Sequence, residues 1–206
     1  MLNKIRPVPQ EQNVHRERMF CLLCCVAGLF AGLLFDKLKL TQSMWLGPTF
    51  FLLTLIAAFS ERPVYAGGNV TVFILFFFLN EHVYASLAPG NVYPSFEILV
   101  RCSWLLLSGA VGVVLWAAKS DGIAAVCLTA LAAGSQLPVV YLLRDSGWLW
   151  PLIDLAFGTA LIFILQKGLK NRLAAGGLAL ICGVGLSLLV SLLQRIEPIY
   201  TTATLS

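Results

Sequence analysis

Residues 70–87, VTVFILFFFLNEHVYASL, restrict the fold more than any other stretch of the chain. The first part is an unbroken apolar run, and Asn80, Glu81, His82 and Tyr84 follow within helix length of its start. Eighteen residues at about 1.5 Å of rise span about 27 Å, close to the hydrocarbon thickness of a bilayer. A segment this long and apolar is read as a membrane-crossing helix, with its polar groups gathered near one interface. Ionisable groups at that depth are costly unless they face protein or water, so they mark candidate functional positions.

The rest of the chain repeats this pattern. Only 12% of the 206 residues are charged and 59% are hydrophobic, against about 25% charged in soluble domains. Too few charges exist to cover a water-facing surface. Apolar segments fall at 19–35, 44–59, 69–87, 97–118, 123–143, 147–165 and 174–194. The expected fold is therefore all-α: a polytopic transmembrane helix bundle of seven spans, or six if the first or second is re-entrant. It is one domain over 19–194, between a polar tail at 1–18 and a short tail at 195–206.

Lys and Arg set the orientation. With the N-terminus cytoplasmic, nine of the fourteen fall on the inner side, including Arg16, Arg18, Arg62, Lys119, Lys167, Lys170 and Arg172. Basic residues flanking spans favour the cytoplasmic face, and the location expected is a bacterial cytoplasmic membrane. No nucleic-acid partner is expected, because the basic groups flank spans and form no stripe with interleaved aromatics. The six cysteines lie inside apolar segments, which suits packing better than a disulfide framework.

In this topology the polar residues inside spans collect in the outer half: Asn80, Glu81, His82 and Tyr84 on the third span, Glu97 and Arg101 on the fourth. Ser135, Gln136 and Tyr141 follow on the fifth, Asp154 on the sixth, and Ser187, Ser191 and Gln194 on the seventh. A relay or a channel needs polar groups from face to face; a cup open to the outside needs them at one end. The expected ligand-binding residues are Asn80, Glu81, His82, Arg101, Gln136, Tyr141 and Asp154. The carboxylates would meet a cationic or hydrogen-bonding solute, Arg101 an anionic part, and Trp148, Trp150 and Tyr84 would act as walls. The simpler alternative is an interfacial aromatic belt with headgroup-wetted polar residues. Asp154, with apolar neighbours along its helix, resists that reading most.

Catalysis is not expected. No metal-binding, phosphate-loop or nucleophile-elbow motif is present, and with one histidine inside a span no bis-histidine haem is available. Glu81 and His82 point about 100° apart on a helix and do not address one atom. No cofactor or metal is expected.

Ala27, Gly28, Ala31 and Gly32 give A-x-x-x-A and G-x-x-x-G on the first span, spacings that let another helix approach closely. Ordinary packing within the chain is the plainer use of them. With the chain's size, its short hydrophobic spans and the outward cup, Ala27-x-x-x-Ala31 resembles the substrate-binding S components of energy-coupling-factor vitamin transporters. The resemblance implies a helix-docking role for Ala27 and Ala31 on a coupling subunit, ATPase partners, and a small-molecule ligand held near the outer face. Residues 62–165 also look like a family of small bacterial multi-pass membrane proteins, which implies no activity. Two functions follow as expectations: capture of a small solute as the membrane subunit of a transporter, or a non-catalytic accessory role packing on partner helices in the lipid bilayer.

Overall fold

A computed structural model describes residues 14–37, 42–87, 95–143 and 148–203. The side chains of Glu81, Tyr84, Glu97 and Gln194 lie outside what it describes, as does the expected pairing of Glu97 with Arg101. The described residues form eight helices: α1 Val14–Lys37, α2 Gln42–Phe59, α3 Pro63–Leu87, α4 Ser95–Ala117, α5 Ile123–Gly134, α6 Gln136–Leu142, α7 Leu149–Leu165 and α8 Leu169–Ala203. Among these residues, five stretches are long and apolar enough to cross a membrane: Val14–Leu34, Pro63–Asn80, Ile98–Ala117, Ile123–Leu142 and Leu169–Leu192. Two shorter apolar helices, Leu46–Phe59 and Leu149–Leu165, accompany them.

Helix boundaries depart from the sequence reading for local reasons. Residues 14–18, expected in the tail, are the first turn of α1, because Glu17 is buried and accepts a hydrogen bond from the Glu61 N–H at 2.9 Å. α3 starts at Pro63, six residues before the expected 69. Proline at a first helical position loses no hydrogen bond there and already has a helical φ. The fifth span is one stretch, Ile123–Leu142, interrupted locally at Ser135. Pro138 has no N–H to offer the Gly134 carbonyl, and its ring crowds that carbonyl. The helix breaks there into α5 and α6 around Ser135, whose hydroxyl bonds back to the Ala132 carbonyl at 2.8 Å.

α3 is the centre of one half. Val70, Phe73, Ile74 and Phe77 are all buried, at the spacing that lines one face of a helix, whereas Leu75 and Leu79 point outward. α1 lies on α3 at Gly28 and Gly32, where a β-carbon would sit 2.5 Å from the Phe73 carbonyl oxygen and 3.1 Å from that of Phe77. α4 approaches α3 from another side, at Gly109 and Gly112. Ala31 is buried in the same core and Ala27 packs against it. The small residues of α1 are thus used within the chain, and the face they make is covered by the protein's own helices.

The other half is built on α5 to α8. α8 meets the α5–α6 break through the buried stripe Ala175, Ala179 and Gly183, and the Gly134 carbonyl lies 2.9 Å from where a Gly183 β-carbon would be. α2 joins the halves: it packs on α3 and α4 to one side and on α6 and α7 to the other. Outside these contacts the surface is apolar, with Leu22, Val26 and Phe30 on α1, Leu106 and Leu107 on α4, and Leu180, Ile181, Val184 and Leu188 on α8 all exposed. Such a girdle is stable in lipid and unstable in water.

One end of the bundle is tied by polar contacts. Arg16 pairs with Glu61 at 2.8 Å, and the Trp116 indole N–H donates to the Ser60 carbonyl at 3.1 Å. The Asn69 amide donates to the Ser60 hydroxyl at 3.1 Å, and the Lys119 ammonium lies 4.3 Å from the Phe59 ring centre. The Gln166 amide donates to Thr129 Oγ1 at 2.6 Å and to the Ala118 carbonyl at 3.1 Å, and Arg172 Nε donates to the Gln166 carbonyl at 3.0 Å. The start of α1, the end of α2, the end of α4, the start of α5, the end of α7 and the start of α8 therefore share one end.

Candidate functional site

Asp154 lies one and a half turns into α7, about 8 Å along the axis from Leu149 at about 1.5 Å per residue. It is 1% exposed. Apolar residues precede and follow it, and burial of a carboxylate in such a helix demands a partner. Among the described residues Asp154 Oδ2 has none.

Two features bring other elements against this carboxylate. Gly158, four residues on and therefore on the same face of α7, leaves room for the α5–α6 junction. A β-carbon there would lie 3.1 Å from the Ala133 carbonyl oxygen and 3.5 Å from Gln136 Cγ. The break at Ser135 makes Gln136 the first residue of α6, with its side chain turned into this gap, also 1% exposed. Neither Oε1 nor Nε2 of Gln136 has a hydrogen-bond partner among the described residues.

The third wall is α2. A β-carbon on Gly47 would lie 2.6 Å from Asp154 Cγ, nearer still to Oδ1, and 3.0 Å from Gln136 Oε1. Only glycine admits the carboxylate at that distance from the α2 backbone. One turn further along both helices, Phe51 and Phe157 stack with ring centres 4.5 Å apart and planes 15° from parallel. The order Gly47 then Phe51 against Asp154 then Phe157 shows that α2 and α7 run parallel, with the stacked rings one turn beyond the polar contact. Buried Thr49, two residues beyond Gly47, also has a hydroxyl with no partner among the described residues.

The structure gathers the expected residues only in part. Gln136 and Asp154 come together, both against Gly47 of α2. Asn80 does not join them: its side chain caps Gly32 of α1, with Nδ2 2.9 Å from that glycine's β-carbon position. Arg101 lies over the Phe78 ring, 5.6 Å from its centre, on the α3–α4 side of the bundle. His82 and Trp148 are exposed, and Tyr141 is half-buried near the end of α6. Sequence reasoning missed Gly47, Gly158 and Thr49. The signal for Gly158 was its place four residues after Asp154. Gly47 had only its position inside an apolar helix, beside Pro48.

Chemically, the site offers one carboxylate, one amide and a glycine backbone, and among the described residues no group of three His, Cys, Asp or Glu that could hold a metal. Its carboxylate and amide suit recognition of a positive or hydrogen-bonding group. No family model, no curated protein and no solved structure matches the chain.

Proposed function

We propose that this chain is a seven-crossing bacterial inner-membrane protein with a cytoplasmic N-terminus. It captures a small solute through a cationic or hydrogen-bonding group at Asp154 and Gln136, as the membrane subunit of a transporter. The observation that carries this reading is the buried pair itself, with Asp154 Oδ2 and both amide atoms of Gln136 lacking partners among the described residues. Each such group costs about 1–3 kcal/mol. A bundle that needed Asp154 and Gln136 only for packing would be better served by apolar residues.

Seven crossings follow if α2 and α7, short but apolar, also traverse the bilayer, with α5 and α6 as one broken span. The end tied by Glu61, Ser60 and Gln166 also receives Arg16, Arg18, Arg62, Lys119, Lys167, Lys170 and Arg172, which supports placing it in the cytoplasm. The site then lies toward the outer leaflet. A coupling subunit, as the resemblance to energy-coupling-factor S components implies, would dock on the exposed Leu22, Val26 and Phe30 face of α1, since Ala27 and Ala31 face inward.

The test is purification of the protein in mild detergent and mass spectrometry of what it carries, beside Asp154→Ala. A solute bound by the wild type and lost from a folded Asp154→Ala supports the reading. A wild type carrying no solute and unmoved by candidate cationic solutes points instead to an accessory protein that packs on partner helices.

A further inference from the structure

We infer that the turn between α7 and α8 binds the headgroup of an anionic phospholipid, with Lys167, Lys170 and Arg172 on the phosphate and the exposed Phe163, Leu169 and Leu173 beside the acyl chains. This surface lies at the opposite end of α7 from Asp154 and requires only that the chain lies in a membrane.

The first observation is unbalanced charge. Lys167, Lys170 and Arg172 fall within six positions of the chain. Among the described residues none of them forms an ion pair, although Asp121 lies on the neighbouring α4–α5 turn. α8 starts at Leu169 and has no acidic residue in its first turn. The start of a helix carries the positive pole of its dipole, where anions are favoured and cations are not. Lys167 and Lys170, exposed and without a partner among the described residues, add to that positive potential. A phosphate between them relieves it.

The second observation is a fixed donor. Arg172 Nε donates to the Gln166 carbonyl at 3.0 Å and Nη2 to the Phe163 carbonyl at 3.4 Å, and the guanidinium carbon lies 4.9 Å from the centre of the Phe163 ring. These contacts hold one edge of the guanidinium against the end of α7 and leave Nη1 with no partner among the described residues. A held guanidinium with free N–H groups suits a phosphate.

The neighbours of these groups decide which phosphate. Phe163 is 56% exposed, Leu169 72% and Leu173 68%. A soluble phosphate compound gains nothing from such side chains. A lipid sets its phosphate at the level of the basic groups and lays its chains along the apolar ones. Charge complementarity selects an anionic lipid over a zwitterionic one, whose own cation would meet the two lysines.

The experiment uses the full chain in mild detergent, mixed with equal amounts of phosphatidylglycerol and phosphatidylcholine bearing the same acyl chains, and counts the retained lipids by native mass spectrometry. The wild type is expected to retain phosphatidylglycerol in preference. Lys167→Ala and Lys170→Ala together should keep the unfolding midpoint and cut that preference by about fivefold for each lysine lost. Arg18→Ala, at an exposed basic position on α1, should leave it unchanged. Equal retention of the two lipids by the wild type, or a double variant no different from Arg18→Ala, overturns the inference. Inorganic phosphate is the third arm. Without acyl chains it should displace no more lipid than chloride at the same ionic strength, and displacement by phosphate alone overturns the lipid as the occupant.

Discussion

At the residue scale, glycines separate into those that admit a neighbour and those that face open space, and the two kinds respond oppositely to the same change. Gly47→Ala places a methyl group on the Asp154 carboxylate. Alanine is favoured over glycine in a helix by up to about 1 kcal/mol, but overpacking costs about 1–3 kcal/mol, so a net loss of stability is expected. Gly177 on α8 has nothing within 4 Å of its β-carbon position, and Gly177→Ala should gain up to about 1 kcal/mol from helix propensity alone. Denaturant or thermal unfolding of both variants checks the pair. Gln166→Leu makes a third comparison. It removes the bonds to Thr129 Oγ1 and the carbonyls of Ala118 and Ala125 at the opposite end. It should cost about 2–3 kcal/mol, seen as a lower unfolding midpoint, with ligand response unchanged. Asp154 and Gln136 were legible in the sequence because each is polar inside an apolar run. Gly47 was not, because a glycine shows its contact only once the helix it touches is known.

At the element scale, the α5–α6 break sets the site. Pro138→Ala returns an N–H to the Gly134 carbonyl and permits a continuous helix, which rotates Gln136 away from α7. The expected outcome is unchanged or higher thermal stability together with weakened ligand response, read as loss of the copurified solute. A retained response would mean that tertiary packing against Gly158 and Gly183 holds Gln136 in place without the proline. The sequence showed Pro138 but read the span at 123–143 as continuous, since a proline within a long apolar segment is compatible with either a kink or a break. It also placed Asn80 and Arg101 beside Asp154. Depth along a helix is readable from residue number, but the direction around the bundle is set by which helices neighbour each other. α2 lies between the two groups, and nothing in its own residues announced that.

At the scale of the whole molecule, an apolar girdle and one polar, basic end define an orientation. Cysteines introduced at Lys170 and Asp121 belong to the tied end, and those at His82 and Trp148 to the other. A membrane-impermeant maleimide applied to intact cells should label His82→Cys and Trp148→Cys and spare Lys170→Cys and Asp121→Cys, in a background with the native cysteines replaced. The reverse pattern inverts the protein and moves the site to the cytoplasmic leaflet. Apolar segments were legible from hydropathy alone, which is why the all-helical architecture was readable in the sequence. Helix adjacency was not, because every span offers several small-residue faces.

The central claim is that Asp154 is kept at a cost in stability for the sake of what it binds. The most direct measurement is the unfolding midpoint of wild type and Asp154→Asn, side by side, in detergent with choline chloride and no added ligand. Relief of a buried carboxylate whose Oδ2 has no partner among the described residues predicts the variant to be the more stable of the two, by about 1–3 kcal/mol. A less stable variant would show that Asp154 is a structural group with a protein partner, and would contradict the account.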